Sequence, residues 1–420
     1  MDLKGKRLLI LGGKPIGSRE ITEYAKSRGV YTIVADYLPP EQSAAKQISD
    51  EAWDISTGDV DLLVQMVRDH QVDGIYTGVH EFNISKMIEV CQQTGLPCFC
   101  KADQWELLSD KRRFKQLCRE YDIPVAKEYR ITMADDIDGA AIDFPVIIKP
   151  ADGSGSRGFS ICRDKDELKQ AFPNAVKNSG TGSVLVEQMM DYTQSCIINY
   201  TLFNGQVVFS GISDKESKKV FATGAPVMSV QFYPSRFEGA YLEQLDEKVK
   251  KMLCGAGLKN GVVWIEAFCN RGSFTFNEAG YRFGGSLTYY PVERIYGVKQ
   301  LQAQIEYALS GTYSDPLPRP DVRASYHKTY TIMPVHVRPG RIASVSGFEQ
   351  LRDMPGFLQA VPVHFVGDRI ENWGSAQQVF AYLHYETETR EESTAFADEI
   401  LKCLSVRDET GKEMLFNLYR

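Results

Sequence analysis

The first 108 residues alternate between short apolar runs and amphipathic stretches, and this alternation restricts the fold more than any other feature of the chain. Apolar runs bounded by turn residues predict strands at 6–11, 31–35, 74–77 and 97–100. A helical period predicts helices at 16–28, 59–69 and 84–94. Strands that alternate with helices pair in parallel, because each helix carries the chain back to the same edge of the sheet. The segment therefore predicts a parallel sheet with helices on both faces.

The remaining chain predicts further domains. A chain of 420 residues is too long for one ordinary hydrophobic core. The regular alternation ends after residue 108, and a proline-rich stretch at 316–320 is typical of a linker. Beyond it the chain is β-rich with one late helix. We therefore expect three domains, 1–108, 109–315 and 316–420, in a fold that combines α/β and α+β parts.

Charge and hydropathy exclude two classes of partner. The net charge is −7 and no long run of Lys and Arg interrupts the chain, so nucleic acid is not expected as the main partner. No apolar stretch approaches the roughly 20 residues that cross a bilayer, so no membrane is expected as a partner. The N-terminus has too few apolar residues for a signal peptide and predicts a strand.

The nine cysteines favour reduced thiols and a cytoplasmic location. Their number is odd, and no two CxxC units occur. Cys98 and Cys100 leave a metal site as an alternative, although zinc sites usually use paired ligand clusters. The six His residues form neither HxH nor HExxH, which disfavours a zinc enzyme of that kind.

The first strand is followed by a glycine-containing turn that superficially resembles a dinucleotide fingerprint. Gly12, Gly13 and Gly17 lie in this turn, and Asp36 ends the next strand. The spacing is not G-x-G-x-x-G, and Pro15 occupies the turn. The favoured interpretation is that the glycines permit a tight strand-to-helix turn, with NAD binding as the alternative.

A glycine- and serine-rich loop after one strand predicts phosphate binding. Residues 144–159 have the sequence FPVIIKPADGSGSRGF, in which a branched apolar strand ends at Lys149. Gly153, Gly155 and Gly158 allow backbone N–H groups to approach an anion, and the serine hydroxyls add donors. No GK[ST] ends the loop, so it is not a Walker A motif. A mobile hairpin turn is the alternative when the loop is considered alone.

A later hairpin carries two glutamates in otherwise apolar strands. Glu266 and Glu278 flank a turn at 270–273. If this turn is centred on Gly272, the two glutamates are expected opposite each other on one face, about 5 Å apart at Cβ. Two such charges repel unless a cation lies between them, and Mg²⁺ takes carboxylate and phosphate oxygens together. Arg282, four residues after Glu278, is a candidate for stabilising a transferred phosphoryl group. The alternative is a surface hairpin with two solvated glutamates.

The order of these candidates resembles the ATP-grasp superfamily, and more narrowly its biotin carboxylase, carbamoyl-phosphate synthase and L-amino-acid ligase branch. The residues that carry the resemblance are Asp110, Lys111, Lys149 with its loop, 184–190, Glu266, Glu278 and Arg282. The segment 339–356 is similar to the C-terminal region of amino-acid ligases. The resemblance implies a pre-ATP-grasp Rossmann-like domain, an ATP-grasp domain with a glycine-rich lid at about 126–190, and a β-rich C-terminal cap.

The resemblance also implies cofactors and roles. ATP and Mg²⁺, or Mn²⁺ in its place, are the expected cofactors. The implied ATP-binding residues are Lys111, Lys149, Ser154, Gly155, Ser156, Glu187, Met190 (through its backbone) and Gln194. Glu266 and Glu278 would bridge the metal ions, and Arg282 and Lys149 would be catalytic. A homodimer is implied by family analogy.

Two positions depart from the pattern of the family. The motif E-x-N-x-R has Gly280 where the family has an Asn metal ligand, which leaves a weaker metal site, a water or Asn277 as alternatives. Gln188 replaces the usual Lys after the adenine-binding Glu187. Neither change removes the two phosphate-binding lysines or the paired carboxylates.

The expected reaction joins a small-molecule carboxylate to an amine through an acyl phosphate. The alternatives are a bicarbonate-activating enzyme, similar to a carboxylase or carbamoyl-phosphate synthase, and a non-catalytic ATP-binding protein. His80 and Glu81 follow a strand of the first domain, and strand ends in open α/β sheets face ligand crevices. They are candidates for substrate contact, with a helix cap as the alternative.

Overall fold

The computed structural model describes residues 1–14, 16–152, 158–220, 226–314, 320–371 and 373–419. The N-terminal sheet is parallel, in the order β3-β2-β1-β4. Its strands are β1 (Arg7–Leu11), β2 (Tyr31–Asp36), β3 (Glu51–Asp54) and β4 (Gly74–Thr77). Helices α1 (Ser18–Ser27), α2 (Val60–Asp69) and α3 (Glu81–Thr94) alternate with them. The prediction of a parallel sheet interleaved with helices is confirmed.

Two details of this domain differ from the sequence prediction. Residues 97–100 form no strand, because the chain has no neighbouring strand to pair with there and leads directly into α4 (Ala102–Ser109). Strand β3 is not predicted from the pattern, since it is short, lies at the edge of the sheet and buries only Trp53.

The glycine turn after β1 is a tight internal turn. The Asp36 carboxylate accepts hydrogen bonds from the Gly13 backbone N–H at 2.7 Å and the Ser43 hydroxyl at 2.8 Å. A Cβ at Gly13 would lie 2.1 Å from Ser43 Oγ. Asp36 is thus occupied within the protein, which favours the turn interpretation over dinucleotide binding. Pro15 lies outside the described residues.

A single extended residue separates the two helices that follow the N-terminal sheet. Asp110 has an extended backbone and separates α4 from α5 (Lys111–Glu120). Its side chain accepts hydrogen bonds from the backbone N–H groups of Arg112 and Arg113, both at 2.9 Å. Asp110 therefore caps α5 and sets where the helix begins.

A small antiparallel sheet follows, in the order β5-β8-β6-β7. Its elements are β5 (Glu128–Tyr129), α6 (Asp136–Gly139), β6 (Val146–Pro150), β7 (Ser160–Cys162), α7 (Lys165–Lys177) and β8 (Val184–Gln188). Helix α7 extends past Pro173 to Lys177. Packing explains the extension, because Ala175 is buried in the core of this sheet.

The largest sheet has nine strands, eight of them in the order β13-β12-β9-β10-β11-β14-β18-β16, with β20 pairing on β14. Its first half consists of β9 (Gln194–Phe203), β10 (Gln206–Lys218), β11 (Val227–Tyr233), β12 (Gly261–Asn270) and β13 (Ser273–Gly280). Helices α8 (Glu238–Gln244), α9 (Asp246–Gly255), α10 (Tyr289–Tyr296), α11 (Gln300–Ser310) and α12 (Pro320–Ala324) lie in or after this half.

The second half of the sheet comes from the C-terminal part of the chain. Its elements are β14 (Thr329–Val337), β15 (Gly340–Ser346), α13 (Phe348–Arg352), β16 (Phe357–Pro362), β17 (Arg369–Ile370), β18 (Val379–Thr387), α14 (Arg390–Cys403), β19 (Ser405–Asp408) and β20 (Leu415–Phe416). Strands β15, β17 and β19 form a separate small sheet. The main sheet therefore runs across the predicted boundary at 315/316, and the three domain limits stay predictions.

Apolar packing joins these parts. One buried cluster contains Leu9 of β1, Ile265 of β12 and Phe276 of β13, so the N-terminal domain and the hairpin share a core. In the described part of the chain, no helix has the length and apolar character to span a membrane. The predicted fold class, a parallel-sheet domain followed by antiparallel α/β parts, is confirmed.

Candidate functional site

The β12–β13 hairpin places two carboxylates on one face. Glu266 and Glu278 are direct partners in the ladder, and the register shifts immediately beyond them. Asn277 is the extra residue of this bulge, opposite no residue of β12. Asn277 is buried and shares the cavity with both glutamates. Three oxygen-bearing side chains thus meet on one side of the hairpin.

Each glutamate has a lysine partner. Lys111 Nζ lies 3.2 Å from Glu278 Oε2. Burial would raise the pKa of Glu278, but Lys111 and Lys149 outweigh it and lower the pKa to about 2. Glu266 Oε1 accepts hydrogen bonds from Lys215 Nζ and Ser195 Oγ, both at 2.8 Å. Both carboxylates are therefore held by fixed donors.

Lys149 reaches the same region from β6. Its Nζ lies 2.9 Å from Glu187 Oε2 and donates to Asn277 Oδ1 at 2.9 Å. Ile147 is the ladder partner of Glu187, so Lys149, two residues on, is its diagonal neighbour on the same face. Burial would lower the pKa of Lys149, but the neighbouring Glu187 carboxylate raises it above its ordinary value. Lys149 therefore stays a cation.

Glu187 lies between two lysines. Its other oxygen accepts a hydrogen bond from Lys115, which is fully buried. Burial would raise the pKa of Glu187, but Lys149 and Lys115 lower it to about 2. Burial, with repulsion from Lys149, lowers the pKa of Lys115 to about 7. Lys115 is not predicted from the sequence as a site residue. It lies four residues after Lys111, so the two lysines share one face of α5.

The two hairpin glutamates and Lys149 line a cavity of about 310 Å³. Its charged residues are Lys111, Lys149, Lys215, Glu266 and Glu278. Its apolar and aromatic walls include Phe159, Tyr192, Ile197, Val227, Met228, Trp264 and Tyr382. Tyr192 packs edge-on against Phe159 and Phe268, with ring centroids 5.4 and 4.6 Å away. The cavity is thus lined both by charged groups and by apolar side chains that can cover the organic part of a ligand.

Arg282 lies beside this cavity rather than among its lining residues. Its Nη2 donates to Glu81 Oε1 at 2.9 Å, and its Nη1 donates to the Phe283 carbonyl oxygen at 3.0 Å. Glu81 is the first residue of α3 and His80 is its exposed N-cap. Glu81 therefore connects the N-terminal domain to Arg282, and a contact of Glu81 or His80 with substrate stays a prediction.

The other predicted residues lie further out. Glu187 is buried between its lysines, Met190 is half-buried after β8, and Gln194 is exposed at the start of β9. Neither Met190 nor Gln194 lines the cavity. Ser154, Gly155 and Ser156 lie outside the described residues. Lys215, Tyr192 and Trp264 belong to the site and were not singled out from the sequence, because only the sheet brings them to it.

The donor set suits a hard cation that shares its ligands with a phosphate. Within the described ranges, no group of three or more His, Cys, Asp or Glu side chains is arranged to hold a metal. Mg²⁺ usually takes one or two carboxylates and completes its shell with water and phosphate oxygens. Glu266, Glu278 and the amide oxygen of Asn277 fit this demand better than a closed cage of protein ligands would.

Two family models match separate parts of the chain. The carbamoyl-phosphate synthase L chain, ATP binding domain, matches residues 110–200, which include Lys111, Lys149 and Glu187. The L-amino acid ligase C-terminal domain 2 matches residues 334–409.

Two curated relatives match over longer stretches. The formate-dependent phosphoribosylglycinamide formyltransferase of Bacteroides thetaiotaomicron is 23% identical over 284 residues, covering 62% of this chain and 69% of that protein. The carbamoyl phosphate synthase large chain of Clostridium botulinum is 22% identical over 300 residues, covering 68% of this chain and 28% of that protein. The chain spans about half the length of several other formyltransferases that it matches.

Solved structures share the fold. The L-amino acid ligase of Bacillus licheniformis superimposes with a TM-score of 0.73 at 17% identity, covering 97% of this chain and 99% of that one. The biotin carboxylase domain of the Hydrogenobacter thermophilus 2-oxoglutarate carboxylase gives a TM-score of 0.75 at 19% identity, covering 98% and 91%.

The small antiparallel sheet and the larger sheet both contribute to the cavity, Lys149 from the first and Glu266 and Glu278 from the second. The family models cover two parts of the chain, and the solved structures share its fold. The chain is therefore similar to ATP-grasp proteins, in an ATP binding domain model over residues 110–200 and in the fold of the whole chain, which agrees with the resemblance seen in the sequence.

Proposed function

We propose that the chain is an ATP-dependent carboxylate–amine ligase that forms an amide or peptide bond through an acyl phosphate and releases ADP and phosphate. The observation that carries the proposal is the direct pairing of Glu266 and Glu278 in a cavity that also holds Lys111 and Lys149. The names of similar proteins support it, since they include an L-amino acid ligase and a formyltransferase.

The lysines bind and orient the phosphates. Lys111 and Lys149 present ammonium groups from two different elements, α5 and β6, so a phosphate chain is held from two sides. Ser154, Gly155 and Ser156 cover the phosphates with backbone and hydroxyl donors. Glu187, Met190 and Gln194 bind the nucleoside. Lys149 keeps its positive charge because Glu187 stabilises it, as phosphoryl transfer requires.

The chemistry has two displacements. An oxygen of the substrate carboxylate attacks the γ-phosphorus, and the bond to ADP breaks. The amine nitrogen then attacks the acyl carbon, and the bond to phosphate breaks. Arg282 stabilises the charge that develops on the phosphoryl and acyl groups. The protein contributes mainly position and charge, and exclusion of water protects the acyl phosphate.

Mg²⁺, or Mn²⁺, is the proposed metal, with Glu266, Glu278 and Asn277 as its protein ligands. When bound, it neutralises the phosphate oxygens and orients the terminal phosphate. Glu278 remains ionised for this purpose, since its neighbouring lysines lower its pKa to about 2. The nine cysteines form no disulfide, which supports the proposal of a cytoplasmic protein.

The test is release of ADP and phosphate from Mg-ATP. Amino acids and other small carboxylates are supplied singly and in pairs, with bicarbonate in a separate reaction. We expect release only when an acid and an amine are both present. Glu278→Gln should lower kcat on the order of a hundredfold or more, because the paired carboxylate is lost. The exposed Glu243→Gln is the matched control and should leave kcat unchanged.

Two outcomes would replace the proposal. Release driven by bicarbonate without an acid would identify the bicarbonate-activating alternative. Tight ATP binding without release in any reaction would indicate a non-catalytic ATP-binding protein.

A further inference from the structure

Trp264 and Gly280 are partners across the β12–β13 hairpin, two ladder positions beyond the paired glutamates. A Cβ at position 280 would lie 2.5 Å from both Nε1 and Cε2 of the Trp264 indole. The indole is rigid, so it cannot yield as a flexible chain end would. Position 280 therefore carries no side chain because the ring lies where a side chain would begin.

This packing explains the departure from the family pattern at position 280. An Asn side chain there is sterically excluded while Trp264 keeps its position. An amide oxygen in the same cavity as the carboxylates comes instead from Asn277, the bulge residue. Gly280 is thus half of a matched pair, a large residue on β12 and the smallest one on β13.

The indole of Trp264 also contacts Arg282. The guanidinium carbon lies 5.2 Å from the centroid of the Trp264 ring, within the range of a cation–π interaction. The indole N–H is buried and has no hydrogen-bond acceptor among the described residues. The ring is therefore placed by packing against Gly280 and Arg282 rather than by its polar atom.

Arg282 is accordingly restrained on several sides. Glu81 and the Phe283 carbonyl accept from its terminal nitrogens, and the indole supports its flat face. An arginine side chain loses rotamer entropy when it is held in one geometry, so such restraint in advance lowers the cost of presenting it.

We propose that Trp264 is a positioning residue for Arg282 and that Gly280 is required because it admits the indole. The expected change in kcat rests on the proposed function. The expected changes in Tm rest on the packing of Trp264 alone. Trp264 also lines the cavity, so the ring that holds Arg282 forms part of the substrate-facing wall.

The kinetic experiment compares Trp264→Leu, Trp264→Phe and Tyr31→Leu in the full chain. Trp264→Leu should lower kcat about tenfold with KM for ATP changed less than about twofold, because support of a transition-state group is lost. Trp264→Phe keeps a ring and should recover most of the rate. Tyr31→Leu removes an aromatic ring beneath Arg7, 4.4 Å from its guanidinium carbon and outside the site, and should leave kcat unchanged.

A double-mutant comparison distinguishes loss of Arg282 positioning from a general loss of activity. In an Arg282→Ala background, Trp264→Leu should have no further effect on kcat, since the group it positions is gone. Equal losses in both backgrounds, or a loss no greater than that of Tyr31→Leu, would overturn the positioning role.

A second experiment needs no turnover. Thermal unfolding should show that Gly280→Ala lowers Tm clearly in the wild-type protein and much less in Trp264→Ala. The Tm change caused by Glu81→Ala should likewise shrink in Trp264→Leu, where Arg282 is less fixed. If no substrate gives turnover, the proposed function fails, and these Tm differences still decide the inference. Equal Tm changes in both backgrounds would refute it.

Discussion

The charge of a single residue, Glu187 of β8, connects the small antiparallel sheet to helix α5. Its two oxygens contact Lys115 of α5 and Lys149 of β6. A buried carboxylate with two buried lysines is costly to assemble, and removing one member leaves the others uncompensated. Because Lys115 also pairs with Glu187, the carboxylate does not neutralise the positive charge of Lys149 alone.

The pH dependence of the unfolding free energy at acid pH tests whether Glu187 is ionised and paired with its lysines. The pKa of Glu187 is lowered to about 2 from an ordinary 4.5. A carboxylate with a lowered pKa in the folded state contributes stability above pH 4.5 and loses it as pH falls towards 2, because the unfolded state takes up the proton first. The gap in unfolding free energy between wild type and Glu187→Gln should therefore narrow over this range, by about 3 kcal/mol at most.

Urea unfolding at pH 7, 5, 4 and 3 measures this gap. Glu243→Gln, at an exposed position of α8, is the control and should give a constant difference. A Glu187→Gln gap that does not change with pH would contradict an ionised, lysine-paired Glu187.

At the scale of elements, the start of α5 positions Lys111. Asp110 caps the helix, and the Lys111 backbone N–H donates to the Ala151 carbonyl oxygen at 3.2 Å, just before the glycine-rich loop. The cap thus fixes the first turn of α5 against the end of β6. The Asp110 cap sets where α5 begins, and the contact with Ala151 holds that beginning beside the end of β6.

Two aspartate caps allow a matched comparison. Asp110→Ala and Asp164→Ala each remove an N-cap, of α5 and α7 respectively, and each should cost about 1 kcal/mol of stability. Only Asp110→Ala should also raise KM for ATP, because Lys111 is the next residue. Steady-state kinetics with chemical denaturation checks both. Similar KM values for the two variants would show that the cap does not position Lys111.

At the scale of the whole molecule, the nine-stranded sheet makes the C-terminal region part of the central structure. Strand β11 pairs with β14 through Gln231 and Ile332, Phe232 and Thr331, and Tyr233 and Tyr330. The Arg294 guanidinium and the Glu386 carboxylate add a two-pronged ion pair between α10 and β18. The cavity wall includes Tyr382 of β18, so both halves of the sheet build the site.

Truncation tests this continuity. A chain of residues 1–315 should aggregate, because the buried edge of β11 loses its partner and exposes apolar side chains. Co-expression with a separate 316–420 fragment should restore a soluble complex. Size-exclusion chromatography and thermal unfolding measure both. A monomeric 1–315 fragment with the Tm of the full chain would show that the C-terminal region is an independent domain.

The sequence by itself determined what depends on local spacing. Alternation fixed the parallel sheet, the four-residue turn paired β12 with β13 as a hairpin, and the branched strand before the glycines put Lys149 at a strand end. The bulge at Asn277 then brings Glu278 opposite Glu266. Such features follow from side-chain periods within one element or one hairpin, and these are legible in the order of residues.

Only the tertiary structure decided the contacts between distant segments. Lys115 and Glu187 are 72 residues apart, and Lys215 and Glu266 are 51 apart. Nothing local distinguishes these lysines from solvated ones. Trp264 and Gly280 are close in the chain, but the bulge at Asn277 shifts their register and the indole rotamer decides the clash. Burial and pairing of this kind depend on how whole elements pack, which the spacing along one segment does not specify.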